Sequence, residues 1–218
     1  MQVIDNFFPE NMFKELQKKI LGSGMPFFYV PNISVPKEMM VVGDPLAKET
    51  DAFTQHMYDK ENKISSDDYI NLKPYFMYLV HKLGYVEENI TRVRCVNTWP
   101  KPGMTSEHYN IPHVDNPTEH KSVILYMNDS DGDTRLFHQK QTPLNWRIRH
   151  DATEEEKEIY ASQFIRTGFT VEHTVTPKAN RVLIFDGLTY HTAGFPVNTN
   201  RRVIININIS EFYQKVFE

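Results

Sequence analysis

Cysteine is almost absent from this chain: its 218 residues include one, Cys95. A single cysteine forms no intramolecular disulfide, which points to a reducing, cytoplasmic setting and to a small buried role for Cys95. Long hydrophobic runs are also missing. None approaches the roughly 20 apolar residues that a membrane helix needs, so no membrane partner is expected. The opening "MQVIDNFFPENMF" has no basic segment leading into an apolar one, so no signal peptide is expected. Excess positive charge is lacking too. The formal net charge is −4, which weighs against nucleic acid as a partner. There are no internal repeats and no low-complexity segments.

What is present is an ordinary globular composition, 40% hydrophobic and 24% charged. The length suits a single domain spanning residues 1–218. The texture divides it into a helical N-terminal layer over 1–88 and a strand-rich core over 89–218. In "FFPENMFKELQKKILGSG", Pro9 stands at a helix start and Gly22 past its end. Met12, Phe13, Leu16 and Ile20 recur at helical spacing between them. "DPLAKETDAFTQHMYDK" reads as a weaker helix. "SSDDYINLKPYFMYLVHKLGY" starts with cap-forming residues and closes at Gly84, with Pro74 predicting a kink or a later start.

From Asn89 the pattern changes to short β-branched runs: "ITRVRCV", "SVILYMN", "TRLFH", "FTVEHTV", "RVLIFD" and "RVIININIS". Turn-forming stretches separate them. Many short strands after helices predict a mainly β fold with N-terminal helices. Its form would be a β-sandwich or jelly roll, with the helices packed on one outer face. An insertion at about 139–167 interrupts the strands, with Thr153 and Glu156 spaced as a capping box.

"HVDNP" holds the only His-x-Asp or His-x-Glu triplet in the chain. On a strand, His113 and Asp115 would face the same way and could share a metal ion. Downstream, His191 precedes a Gly/Pro turn. Two histidines and one carboxylate make a facial triad that leaves positions open on Fe(II). His191 alone could equally be a turn histidine bonded to backbone. A basic pair, Arg201 and Arg202, starts the last strand. An arginine fork suits a carboxylate. Val203, Ile205, Ile207 and Ile209 form one apolar face, which Arg201 joins. Ile204, Asn206 and Asn208 form a more polar one, which Arg202 joins. A cavity for a metal and an acid should use the polar face, which favours Arg202.

Together, "HVDNP", "SVILYMNDSDGDTRLF", "PKANRVLIFDGLTYHTAGFPV" and "RRVIININIS" resemble the Fe(II)/2-oxoglutarate-dependent dioxygenase superfamily, in its prolyl 4-hydroxylase-like branch. The resemblance covers roughly residues 90 to 212 and implies that the jelly roll is a cupin-like double-stranded β-helix. It implies that His113, Asp115 and His191 are catalytic metal ligands for Fe(II). It implies that Arg202, or Arg201 in another register, binds the distal carboxylate of the co-substrate 2-oxoglutarate. Tyr126 would donate its hydroxyl to that carboxylate and Thr134 would lie against it. Trp99 stands where relatives carry a site-lining aromatic. "HTAGFPV" is one residue longer than the family's usual His-x-Gly-x-Pro, which leaves the choice of arginine open by one position.

The implied activity is hydroxylation of an unactivated C–H bond with O2 as the second co-substrate, yielding succinate and CO2. Asp115 favours hydroxylation over halogenation, because halogenating relatives replace that carboxylate with a small residue. The branch implies a protein or peptide side chain, such as proline, as substrate. A free amino acid or another small molecule is the alternative. A jelly-roll binding module with a degenerate site and a cupin-like metal enzyme without 2-oxoglutarate are the competing classes. Of the other histidines, His108 and His120 would lie near the cavity mouth. His56, His81, His138, His150 and His173 read as surface or packing residues.

Overall fold

The computed structural model describes residues 1–33, 45–116, 118–142, 153, 155 and 169–210. In chain order the elements are β1 (Gln2–Ile4), α1 (Glu10–Leu21), β2 (Phe28–Val30), β3 (Ala47–Lys48), β4 (Ala52–Asp59), β5 (Ile64–Ser65), α2 (Asp67–Lys82), β6 (Ile90–Thr98), β7 (Tyr109–Asn110), β8 (Lys121–Tyr126), β9 (Thr134–Lys140), β10 (Val171–Val175), β11 (Val182–Asp186), β12 (Thr189–Ala193) and β13 (Arg202–Ile209). A short 3-10 turn, Glu87–Asn89, leads into β6.

Both strong helix expectations hold. Pro9 caps α1 at its start and Gly22 at its end, and Phe13, Leu16 and Ile20 are its buried residues. Helix α2 begins where the Ser66 hydroxyl accepts from the Tyr69 backbone N–H at 3.1 Å. Pro74 lies within α2, so neither a later start nor a break follows from it. After α2, Tyr85 N–H bonds the Val80 carbonyl and Gly84 N–H that of His81. That Schellman pairing requires a left-handed residue, and Gly84 supplies it at φ 85°.

The N-terminal layer is less helical than expected. Residues 45–60 do not form the weaker helix expected over 44–60: β3 and β4 lie there instead. β4 pairs antiparallel with β6, Phe53 opposite Asn97 through Asp59 opposite Arg92. Cross-strand bonds to a distant segment outweigh local propensity in this stretch. At the other end of the chain, residues 139 and 140 belong to β9. Residues 143–152, 154 and 156–168, including Glu156 of the capping box, lie outside the described residues.

An eight-stranded sheet runs β1-β11-β8-β13-β6-β4-β2, with β5 on β4, and a three-stranded sheet runs β10-β9-β12. All of their pairings are antiparallel. β3 and β7 form a separate parallel pair. Strand β13 shows how alternation builds two cores. Val203, Ile205, Ile207 and Ile209 turn outward and join Phe13, Leu16, Ile20, Leu72, Phe76 and Leu79 of the helices. Ile204 turns inward, with Val96, Ile124, Tyr126, Leu136, Leu183 and Phe185. The helices therefore cover one outer face of the larger sheet. The other face meets the smaller sheet and encloses the polar residues of β13. No helix among the described residues is long and apolar enough to cross a membrane.

Candidate active site

His113 and His191 are bound to each other through backbone. The His113 N–H donates to the His191 carbonyl at 3.0 Å, and the His191 N–H returns the bond at 2.9 Å. Their rings lie 4.7 Å apart between centroids. Each Nδ1 faces a carbonyl two residues back, Ile111 O for His113 and Thr189 O for His191, both at 3.1 Å. A carbonyl only accepts, so the proton sits on Nδ1 and each Nε2 carries a free lone pair.

Asp115 completes the group. One ligand atom from each of His113, Asp115 and His191 lies within 4.8 Å of the others. The convergence has a different origin from the strand alternation expected. His113 forms an isolated bridge and Asp115 sits in a bend, so no continuous strand joins them. Asp115 is placed instead by neighbours from three strands. Asn206 and Asn208 of β13 donate to its Oδ2 at 2.8 and 3.1 Å, and Ser122 of β8 donates at 3.3 Å. Arg92 of β6 reaches Oδ1 at 2.7 Å and donates to the Asp115 carbonyl at 3.3 Å. Arg94 stands 3.8 Å from Oδ1.

The electrostatics suit a cation. Burial, with His191 adding to it, pushes His113 down to about 3, against the pull of Asp115. Burial lowers His191 as well, again opposed by Asp115. Burial works against the Asp115 carboxylate, yet Arg92, His191 and Arg94 hold it well below the usual range. Two neutral imidazoles and one carboxylate are the protonation states in which these groups bind metal. Among the described residues no other group of three such side chains converges in this way.

The histidines open onto a cavity lined by Arg94, Asn110, Thr134, Thr192, Arg202 and Asn206, with Ile33, Val96, Ile124 and Ile204 as apolar walls. Arg202, 2% exposed, donates from Nη2 to Thr134 Oγ1 at 2.8 Å. Tyr126 donates its hydroxyl to the same oxygen at 2.7 Å. Thr134 Oγ1 thus accepts twice, and its own proton remains for a ligand. Arg202 Nε has no hydrogen-bond partner, and among the described residues no carboxylate forms an ion pair with it. Asp133 acts on it only from beyond ion-pair distance, so the buried guanidinium can still donate to an incoming carboxylate. Gly132 makes this approach possible: a Cβ there would lie 2.8 Å from the Gly194 carbonyl and 3.1 Å from Arg202 Cδ.

The structure separates the two arginines as strand alternation predicts. Arg202 is buried in the cavity and Arg201 is exposed. Tyr126 is buried beside Arg202, its ring 5.7 Å from the guanidinium and its hydroxyl on Thr134. Trp99 is not among the cavity's lining residues. It packs on Phe53 at 5.2 Å, with Lys101 Nζ 3.3 Å above its ring. His120 is buried, Nδ1 against Thr118 O at 2.7 Å and Nε2 against Ser122 Oγ at 3.3 Å, so it supports Ser122 instead of marking a cavity mouth. His108 bonds Thr105 in its own loop and does not line the cavity either. His56, His81, His138 and His173 are exposed, and His150 lies outside the described residues. Asn206 and Asn208 lie on the polar face that alternation marked, whereas Arg92, Arg94 and Ser122 were not singled out; for the two arginines the signal was the same alternation in "TRVRCV".

No protein family and no curated protein matches the sequence. Solved structures do match by shape. A 2OG-Fe(II) oxygenase family oxidoreductase from Burkholderia pseudomallei aligns at a TM-score of 0.58 and 11% identity, over 95% of this chain and 84% of that one. The non-heme alpha ketoglutarate dependent epimerase SnoN of nogalamycin biosynthesis aligns at 0.53 and 11% identity, over 95% and 77%. A prolyl hydroxylase from Trichoplax adhaerens, in complex with a hypoxia inducible factor peptide fragment, aligns at 0.51 and 16% identity, over 96% and 83%. The chain has the jelly-roll fold of the 2OG-Fe(II) oxygenases.

Proposed function

We propose that this protein is an Fe(II)- and 2-oxoglutarate-dependent oxygenase that hydroxylates an unactivated C–H bond and releases succinate and CO2. One observation carries the reading: His113 and His191, two members of an oriented His-Asp-His set, share a cavity with Arg202, a buried cation that has no carboxylate partner among the described residues. Three protein ligands on one side of a metal leave the other side open for substrate and O2. When bound, iron with 2-oxoglutarate supplies the oxidising power for the reaction.

The chain's own residues would do the rest. His113 and His191 present Nε2, each fixed by its Nδ1 bond. Asp115 is held by Arg92, Asn206, Asn208 and Ser122. Arg202 and the Thr134 hydroxyl would receive the distal carboxylate, with Tyr126 holding Thr134 in place. The apolar walls Val96, Ile124 and Ile204 keep water from the reacting centre.

For the substrate, the sequence resemblance points to a protein or peptide side chain such as proline, and the Trichoplax enzyme of similar fold is bound to a peptide. The second reading, a free amino acid or other small molecule, is favoured by a second arginine inside the cavity. The test is succinate formation from 2-oxoglutarate with Fe(II), assayed with proline-containing peptides and with free amino acids. The proposal expects iron-dependent succinate that Asp115→Ala and His191→Ala abolish. Near-wild-type activity in either variant would remove that residue from the ligand set.

A further inference from the structure

Among the described residues lining the cavity, Arg94 is the one cation that the proposed reaction leaves unused. It lines the cavity together with His113, His191 and Arg202. Its side chain is 15% exposed, and its Nε has no hydrogen-bond partner. Its charged neighbours are Arg92, which repels it, and Asp115, which attracts it from 3.8 Å. Arg92 holds the same Asp115 oxygen at 2.7 Å, and Asp115 is committed to the metal position as well. Arg92 has a further anion nearby in Asp59, whereas Arg94 faces inward.

None of the described residues lining the cavity is acidic. A divalent ion and Arg94 then stand against one shared aspartate at this end. Arg202 and Thr134, at the other end, account for the distal carboxylate of 2-oxoglutarate; its second carboxylate would offset one charge of the ion and still leave that of Arg94. Buried positive charge with no counter-ion among the described residues calls for an anion brought from outside. Its position beside Asp115 puts that anion within a few ångströms of the metal. The anion and the reacting carbon must therefore belong to one compact molecule.

We infer that the primary substrate is a small carboxylic acid and that Arg94 pairs with its carboxylate. The inference rests on the oxygenase reading above and names its substrate class. A guanidinium suits this role because its fork takes both oxygens of a carboxylate in one plane. The same charge disfavours molecules that carry a positive charge without a carboxylate to offset it.

The test is succinate formation by the Fe(II)-loaded enzyme with 2-oxoglutarate, across the free proteinogenic amino acids and the carboxamide of each. At least one acid raises the rate severalfold above that without it, and its amide does not. Calorimetry on the anaerobic Fe(II)–2-oxoglutarate protein shows the same order, the acid binding and the amide failing to bind. Arg94→Gln raises the KM for that acid about 30-fold or more, as expected when one partner of a buried charge pair is truncated. Its effect on the co-substrate KM is at least tenfold smaller, and Arg94→Lys recovers part of the loss. Equal stimulation by the amides, or no stimulation by any acid, overturns the inference. So does an Arg94→Gln effect that falls on 2-oxoglutarate instead of the acid. Iron-dependent succinate without added acid tests the oxygenase reading separately: its presence with no response to acids defeats only the substrate inference.

Discussion

The Nδ2 of Asn206 donates to Oδ2 of Asp115 at 2.8 Å across 91 residues of sequence. Asn208, two residues on, repeats the contact at 3.1 Å. The last strand thereby holds the carboxylate that the bend after His113 brings into the barrel. Partners that orient a ligand typically contribute 10- to 100-fold to metal affinity. Asn206→Ala is therefore expected to weaken metal binding by about tenfold. Cobalt(II) titration of the apoprotein measures this, and unchanged affinity would show that Asp115 is positioned without Asn206.

Arg202→Ala and Arg201→Ala differ in what they remove. The first deletes a buried, unpaired cation and the second an exposed one. Arg202→Ala should raise the co-substrate KM by about 100-fold, since losing a buried charged partner costs about 2–5 kcal/mol. Arg201→Ala should change it less than about twofold, as exposed charges contribute little. The reverse order in steady-state kinetics would assign the carboxylate to Arg201.

Thr134 is the common acceptor of Tyr126 and Arg202. Thr134→Val keeps the shape and strands two buried donors. The variant is expected to lose about 1–3 kcal/mol of stability for each unsatisfied group, read from urea unfolding. Thr134→Ser should restore most of it and the co-substrate KM as well. A neutral Thr134→Val would mean that both donors find other partners.

Asp131 ties the turn before β13 to the β8–β9 connection. It accepts from the backbone N–H groups of Val197, Asn198 and Thr199 and from the Thr199 hydroxyl at 2.6 Å. Burial opposes its charge, but these bonds, led by that of Thr199, hold the carboxyl far below its ordinary value. A folded-state value below the unfolded one gives stability that is present above the unfolded pKa of about 3.9 and lost as pH falls toward the folded one. Asp131→Asn should therefore be less stable by about 1–2 kcal/mol at neutral pH. Its deficit should shrink as pH drops below about 4. A deficit constant across that window in thermal unfolding would contradict the linkage.

Much of the barrel was readable because alternation has a fixed period. The odd residues of 203–209 face the helices while Ile204 and Asn206 line the cavity, the alternation that favoured Arg202 over Arg201 in the sequence. The triad was readable because its residue types are few. β4 was not readable, since its strand form depends on pairing with β6, which no local pattern in 44–60 announces. Asp115 came to its place by a bend and cross-strand partners, not by the strand geometry used to group it with His113. Tyr126 and Trp99 sat at positions resembling known site residues, yet their contacts go to Thr134 and Phe53. Motif position fixes neither a hydroxyl's partner nor a loop's path.

The central claim is that His113, Asp115 and His191 hold iron while Arg202 holds the co-substrate on it. Anaerobic addition of Fe(II) and then 2-oxoglutarate tests both parts at once through the visible charge-transfer band of the chelate. A band is expected in the wild-type protein, none in Asp115→Ala or His191→Ala, and a far higher 2-oxoglutarate requirement in Arg202→Ala. Wild-type protein that binds Fe(II) and develops no band with 2-oxoglutarate would contradict it.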